Sequence, residues 1–210
     1  MIFLLAIFIF STGGESDVIL ARLKYSGGGD WYNDPDVLPN LAREVSRRTT
    51  LKVNPGQKVV SADDPKIFTY PFIYLTGHGN IKFSQEEVEN LRRYLKNGGF
   101  LYADDDFGMD KSFRREMKKI FPELDFVEIP FDHPIYHIFY DFDNGLPKIH
   151  EHYKGPPKGY GLFIEGRMAV FYTYNTNISD GWTPSHNDPP EVREAALKMG
   201  VNILLYALSY

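Results

Sequence analysis

The chain has 210 residues, no cysteine and a formal net charge of −5, from 23 lysines and arginines against 28 aspartates and glutamates. Its length and its hydrophobic fraction of 43% are typical of a single folded domain. The lack of cysteine excludes disulfide bonds, cysteine-ligated zinc, iron–sulfur clusters and a thiol nucleophile. Because the sequence has no basic stripe that could follow a phosphate backbone, we expect no nucleic-acid partner.

The chain begins with an unbroken apolar run, Ile2–Phe10. This run is too short to cross a bilayer as a helix, which takes about 20 residues. It fits the hydrophobic core of a secretory signal peptide, and Ser11, Thr12 and Gly13 offer a cleavage site of small residues. We therefore predict a signal peptide at residues 1–13, export to the periplasm or the cell exterior, and no transmembrane span in the mature chain. A buried first strand is the alternative interpretation.

The rest of the chain alternates predicted strands with predicted helices. The strands are expected at Asp17–Tyr25, Leu51–Val53, Phe72–Thr76, Phe100–Ala103 and Leu124–Ile129, with a hairpin of Leu162–Glu165 and Met168–Tyr174. The helices are expected at Asp36–Arg48, from the capping box of Ser84 and Glu87 to Gly98, at Lys111–Ile120 with Asp110 as its N-cap, and at Glu191–Ser209.

This alternation predicts an α/β fold, in which a mostly parallel sheet is covered by helices on both faces. We take residues 17–210 as one domain. Residues 130–160 are irregular and rich in proline and glycine, which is long for a structureless loop in a compact domain. We therefore expect this segment to be functional or to be ordered by its contacts.

Six stretches of the sequence match a known family. They are RLKYSGGGDWYND at Arg22–Asp34, TGHGNIKFS at Thr76–Ser84, NGGFLYADDDFGMDKSFRRE at Asn97–Glu116, PFDHPIYH at Pro130–His137, GLPKIHEH at Gly145–His152 and HNDP at His186–Pro189. Together they resemble the domain of unknown function 4159 family over essentially the whole chain beyond the leader. The resemblance implies a branch of the class I glutamine amidotransferase-like superfamily with a three-layer, flavodoxin-like fold. It implies no activity that could be transferred.

The superfamily resemblance also suggests where a site would lie. In enzymes of that superfamily, a glycine-rich loop supplies oxyanion donors and a sharp elbow after a strand carries a cysteine nucleophile. The loop Thr76–Gly79 looks similar to that glycine-rich loop, which implies that Gly77 and Gly79 contact the ligand. The aspartates at 104–106 fall where the elbow is expected. Since cysteine is absent, the resemblance implies no glutaminase chemistry through a thioester.

Three adjacent aspartates follow the predicted strand Phe100–Ala103, and ligands of open α/β sheets bind at strand ends. Neighbouring carboxylates repel one another, so they need a cation, an arginine or N–H donors to be ionised together. We expect Asp104 and Asp106 to bind the ligand, Asp105 to be a catalytic nucleophile or elbow ligand, and Arg114 to neutralise the group. In the alternative, one aspartate caps the next turn and the others face water.

All six histidines lie between residues 78 and 186. His133 and His137 are four residues apart, so on a helical turn they would share a face and could bind one metal ion. His150 and His152 flank Glu151 and would point the same way in an extended segment. Histidine and carboxylate together suit Zn²⁺, Mn²⁺ or Fe²⁺, so a divalent metal is one candidate cofactor. The alternative for each histidine is a hydrogen-bonded structural role.

Two aromatic residues, Trp31 and Tyr32, follow the glycines at 27–29 and could form a stacking surface for a sugar ring. Simple packing over a sheet edge is their alternative role.

Three functions remain open. The first is an exported domain that binds a small polar molecule or a carbohydrate at the strand ends without catalysis, which the missing nucleophile favours. The second is a hydrolase in which the aspartates and histidines hold a divalent metal or perform acid–base chemistry, with His78 or His133 as the base and Asp105 at the elbow. The third is a protein-interaction module of the cell envelope.

Overall fold

The computed structural model describes residues 17–210 as a seven-stranded sheet with helices on both faces. The strands are β1 (Val18–Lys24), β2 (Val53–Ser61), β3 (Phe72–His78), β4 (Phe100–Phe107), β5 (Val127–Glu128), β6 (Lys158–Ile164) and β7 (Arg167–Tyr174). The helices are α1 (Val37–Arg48), α2 (Gln85–Lys96), α3 (Asp110–Ile120) and α4 (Pro190–Ser209), with single 3₁₀ turns at Pro65–Thr69, Pro134–Tyr136 and Asp180–Trp182. The predicted signal peptide at residues 1–13 lies outside the described residues.

The strands lie in the order β2-β1-β3-β4-β7-β6-β5. The first five strands of that order are parallel, whereas β6 runs antiparallel to β7 and β5 runs antiparallel to β6. The prediction of an α/β fold with a mostly parallel sheet is therefore confirmed. No helix within residues 17–210 combines the length and the apolar character that crossing a membrane would require.

Successive residues of β4 point to opposite faces of the sheet and so belong to two separate cores. Phe100 and Tyr102 pack in the core beneath α1 and α4. Leu101 and Ala103 pack in the core beneath α2 and α3. This alternation, continued to the end of the strand, decides which layer each of the following aspartates faces.

The capping box at the start of α2 is confirmed. The Ser84 hydroxyl accepts a hydrogen bond from the Glu87 N–H at 3.2 Å, and the Glu87 carboxylate accepts one from the Ser84 N–H at 2.7 Å. Both side chains thereby satisfy N–H groups that have no partner inside the helix.

Several predicted bounds were wrong. β4 runs on through the three aspartates, because residues 104 and 105 continue the parallel pairing with β3. β2 begins where the predicted strand Leu51–Val53 ends, and only two residues of Leu124–Ile129 form a strand. Asp110 is the first residue of α3 rather than its cap, because its carboxylate accepts hydrogen bonds from Tyr172 and Arg114.

Glu116 joins α3 to the start of α2. Its carboxylate is fully buried and accepts hydrogen bonds from the Phe83 N–H at 3.0 Å and from Lys119 and Arg115, each at 2.8 Å. Burial by itself raises the pKa of Glu116, but the hydrogen bonds from Lys119, Phe83 and Arg115 outweigh burial and lower the pKa. The ionised carboxylate thus stabilises the fold above the unfolded-state pKa of about 4.3. That contribution is lost as the pH falls through the lower folded-state pKa.

We expect Glu116→Gln to lower the free energy of unfolding by about 1–3 kcal/mol at neutral pH, because the amide loses the charge that its three donors meet. The difference from the wild type should shrink as the pH falls below about 4, where the wild-type carboxyl also becomes neutral. Urea unfolding at several pH values measures this, with the exposed Glu89→Gln as the control. Equal stability at neutral pH, or a difference that does not change in acid, would contradict the assignment.

Candidate functional site

A cleft rich in polar residues lies at the carboxyl ends of β1 and β3. Strand β1 stands beside β2 on one side and β3 on the other, so the strand order switches direction across the sheet between β1 and β3, although the strands themselves are parallel. In open α/β sheets this is where ligands bind. Asp30 and Asp34 come from the loop after β1, and His78 is the last residue of β3.

The Asp30 carboxylate contacts His78 at both its backbone N–H and its imidazole ring. One carboxylate oxygen accepts the His78 backbone N–H at 2.5 Å, and the other lies 3.0 Å from the ring Nδ1. The same Nδ1 lies 3.3 Å from Asp106 Oδ2. His78 Nε2 forms no hydrogen bond with any other described residue, and 47% of the side chain is exposed. The ring is therefore oriented through Nδ1, while Nε2 is left without a partner among the described residues.

The surroundings favour the protonated form of His78. Burial opposes protonation, but the charge of Asp106 and the hydrogen bond and charge of Asp30 outweigh burial and raise the pKa of His78. An imidazole of this kind is able to accept or donate a proton near neutral pH.

Asp104 packs into the protein rather than lining the cleft. It is fully buried, and its carboxylate accepts hydrogen bonds from the Thr173 hydroxyl at 2.5 Å and from the Ser179 N–H and hydroxyl at 2.6 and 2.7 Å. Burial raises the pKa of Asp104 to about 6, although these hydrogen bonds favour the charged form. Asp104 thus anchors the loop after β7 to the end of β4.

Asp105 faces the opposite layer, as the alternation along β4 requires. One of its oxygens accepts the Met109 N–H at 3.1 Å at the start of α3, and the other has no partner among the described residues. Burial raises the pKa of Asp105 to about 6. Asp105 and His78, the two predicted catalytic residues, therefore do not meet. Of the three adjacent aspartates, Asp106 is the one that lies beside His78.

Asp106 lies in the cleft at 4% exposure. Its two oxygens accept hydrogen bonds from the side-chain amides of Asn33, at 2.5 Å, and Asn177, at 2.8 Å. Burial and the nearby charge of Asp180 raise the pKa of Asp106 to about 6. The Asn177 amide also donates to Asp180 at 3.0 Å, so it links two buried carboxylates.

Three more histidines reach the cleft from late loops. His150 lies between two carboxylates, with Nδ1 2.9 Å from Asp180 and Nε2 2.9 Å from Asp188. The hydrogen bond with Asp180 is the main reason why the pKa of His150 is raised to about 9. His186 Nε2 lies 2.9 Å from Asp34, and His152 Nε2 lies 2.9 Å from the Asn177 amide.

The pKa of His152 is lowered, whereas that of His150 is raised. Burial and the neighbouring charge of His150 lower the pKa of His152. For His186, burial opposes protonation, but the hydrogen bond with Asp34 and the charge of Asp180 outweigh it and raise the pKa.

We call these residues together the carboxylate–histidine cluster. Its members are Asp30, Asp34, Asp106, Asp180, Asp188, His78, His150, His152 and His186.

Some predicted site residues lie elsewhere. His133 sits before a 3₁₀ turn, where its ring accepts the Ile135 N–H and packs against Tyr206. His137 faces the Phe131 carbonyl and Asp141 instead. The shared-face hypothesis for the two histidines was therefore wrong, because each ring has its own local partners.

Among the described residues, Arg114 and Glu151 form no hydrogen bond or ion pair with a member of the cluster. Arg114 pairs with Asp110 at 2.7 Å and lies 4.4 Å above the Tyr160 ring, so it does not neutralise the three aspartates as predicted. Glu151 is exposed between the two cluster histidines.

The glycines and aromatic residues border the cleft. Gly77 has a φ of +136°, and the Tyr25 hydroxyl occupies the space that a Cβ would need. The Gly79 N–H donates to the Phe107 carbonyl at 3.3 Å, so it is used within the protein. Trp31 and Tyr32 form an edge-to-face pair beside Asp30, with Tyr32 at 64% exposure.

The sequence analysis missed six residues of the site. They are Asp30, Asp34, Asp180, Asp188, His186 and the linking Asn177. Two of the stretches shared with the family contained signals: RLKYSGGGDWYND includes Asp30 and Asp34, and HNDP includes His186 and Asp188. Asn177 adopts a φ of +57°, a left-handed conformation that asparagine tolerates better than most residues.

The family model described as a domain of unknown function (DUF4159) matches residues 19–208. The sequence matches no curated protein.

We expect Asp104→Asn to lower the free energy of unfolding by about 2–3 kcal/mol, because the amide weakens charge-assisted hydrogen bonds and turns a donor toward the Ser179 N–H or hydroxyl. Urea unfolding measures the loss, with the exposed Asp143→Asn as the control. A change as small as that of the control would show that Asp104 does not anchor the loop.

Proposed function

We propose that this chain, which belongs to the family described as a domain of unknown function (DUF4159), is a hydrolase of a small polar substrate and reacts at the carboxylate–histidine cluster. The main support is the Asp30–His78 pair. The carboxylate lies 3.0 Å from Nδ1, and Nε2 is left without a partner among the described residues. A carboxylate that fixes one ring nitrogen prepares the other to act as a general base.

In the proposed reaction, Asp30 keeps the Nδ1 proton of neutral His78 in place, and this neutral form acts at a pH above the raised pKa of His78. His78 Nε2 accepts a proton from a water molecule, and the water oxygen attacks the electrophilic atom of the substrate. The bond to the leaving group then breaks, and the imidazolium returns its proton to the leaving group. Asp106, 3.3 Å from Nδ1, stabilises the imidazolium that forms.

The surroundings of the pair favour a polar substrate with hydroxyl groups. The carboxylates of Asp34 and Asp180 are acceptors, and the exposed Tyr32 beside Trp31 offers an aromatic surface next to Asp30. Sugar rings combine hydroxyl groups with an apolar face, so we include carbohydrates in the proposed substrate class.

The scaffold is proposed to be flavodoxin-like and related to the class I glutamine amidotransferases. The parallel strands β2-β1-β3-β4-β7 follow the doubly wound order of 2-1-3-4-5, which supports this relationship. Cysteine is absent from the sequence, so the proposed chemistry relies on Asp30 and His78 instead of a thiol. Export is a separate proposal, which rests on the apolar run Ile2–Phe10 outside the described residues.

A second candidate function is ligand binding without turnover. The aromatic pair of Trp31 and Tyr32 favours it, because a stacking surface and hydroxyl acceptors are sufficient for carbohydrate recognition.

We expect Asp30→Asn and His78→Gln to lower kcat by about 10²–10⁴-fold, because general acid–base catalysis contributes rate enhancements of that order. KM should change little, since neither substitution removes a substrate-stacking residue. A panel of chromogenic esters, phosphates and glycosides supplies the assay. Asp125→Asn, on the exposed connection after α3, is the matched control.

Full activity of His78→Gln would contradict the proposed role. If the wild type binds sugars in a manner that depends on Tyr32 but turns over no member of the panel, the binding domain replaces the hydrolase.

A further inference from the structure

Two groups of side chains in the cluster bring potential metal ligands together. One ligand atom from each of His150, Asp180 and His186 lies within 4.8 Å of the others. The same holds for Asp34, Asp106 and Asp180. Since Asp180 belongs to both groups, they form one continuous set of donors.

The ring of His150 is oriented as a metal-binding histidine would be. Asp188 lies 2.9 Å from Nε2, and Asp180 lies 2.9 Å from Nδ1. Metal-bound histidines commonly donate one ring N–H to a carboxylate while the other nitrogen binds the ion. A metal ion that binds both His150 Nδ1 and the Asp180 oxygen needs bonds of about 2.0–2.2 Å to each atom. A small increase in the distance between these two atoms would make room for the ion.

The negative charge of the cleft has little permanent compensation. Within residues 17–210, the carboxylates of Asp34, Asp106 and Asp180 form ion pairs with histidines only. Arg22 lies nearby, but its guanidinium donates to the backbone carbonyls of Trp31, Asn33 and Asp34. Close carboxylates of this kind are stabilised by a cation.

Two buried oxygen atoms, one on Asn177 beside the cluster and one on Asp188 within it, lack partners among the described residues. Asn177 is fully buried, and its Oδ1 accepts no hydrogen bond although its Nδ2 donates to both Asp106 and Asp180. The Asp188 side chain is 8% exposed, and its Oδ2 is also unpartnered. A buried oxygen without a partner is costly, and a bound cation or a water molecule on that cation would supply the missing interaction.

We propose that His150, Asp180 and His186 bind one divalent transition-metal ion, with Asp34 and Asp106 completing its surroundings. Two imidazole nitrogens with carboxylate oxygens suit Zn²⁺, Mn²⁺ or Fe²⁺. This inference rests on the proposed function, since it assigns a cofactor to the same cleft. A bound ion would lower the pKa of its water and so ease the proton transfer to His78.

Calorimetry on chelator-treated, untagged protein tests the proposal, with Zn²⁺ and Mn²⁺ added separately. Zn²⁺ also detects a site that holds Fe²⁺ in the cell, because a given set of ligands generally binds Zn²⁺ more tightly than Fe²⁺. We expect about one equivalent of ion per chain for the wild type, and at least tenfold weaker binding for His186→Ala. Circular dichroism checks that the variant is folded. We expect it to fold, because the His186 side chain is 31% exposed and its removal leaves no cavity in the core.

His137→Ala is the matched control, because His137 lies outside the cluster and pairs with Asp141. Its affinity should equal that of the wild type. Sub-stoichiometric binding of both ions by the wild type would overturn the inference, and so would equal losses in His186→Ala and His137→Ala.

The calorimetric test separates this inference from the proposed function, because it uses no substrate. Metal binding in a protein without turnover contradicts the hydrolase alone. Turnover that depends on His78 in a protein that binds neither ion contradicts the metal centre alone.

Discussion

The burial of Asp104 at the end of a central strand is the constraint on which the site depends. A carboxylate with no solvent contact needs donors, and Ser179 and Thr173 supply them. The hydrogen bonds to Ser179 hold the loop after β7 against β4. That loop carries Asn177 and Asp180, so the same bonds that satisfy Asp104 bring these two residues to the cleft.

Three identical neighbours acquire three different environments through strand geometry. Asp104 and Asp106 face the layer of α1 and α4, whereas Asp105 faces the layer of α2 and α3, where it meets the Met109 N–H. Burial raises the pKa of all three to about 6. Among the three, only Asp106 joins the carboxylate–histidine cluster, and it is the one that lies near His78.

The cleft combines an oriented base with carboxylates that, within residues 17–210, form ion pairs with histidines only. Asp30 holds His78 from one side of the cleft, and Asp180 and Asp188 hold His150 from the other. Histidines that pair with carboxylates can exchange their protons for a metal ion. The proposed hydrolase and the proposed metal centre are thus two consequences of one arrangement of charges.

The sequence by itself determined the parts that depend on local patterns. The capping box of Ser84 and Glu87 and the alternation of strands with helices were predictable, because each follows from residues close together in the chain. The aspartates were predicted near the end of a central strand, although β4 runs on through them. The spacing of His133 and His137 is equally local, yet the shared face predicted from it was wrong. A separation of four residues does not reveal which partners the two rings contact. Only the tertiary structure decided the membership of the cluster. Asp34 and His186 are 152 residues apart and meet because the strand order and the anchored loop bring their segments to one edge of the sheet.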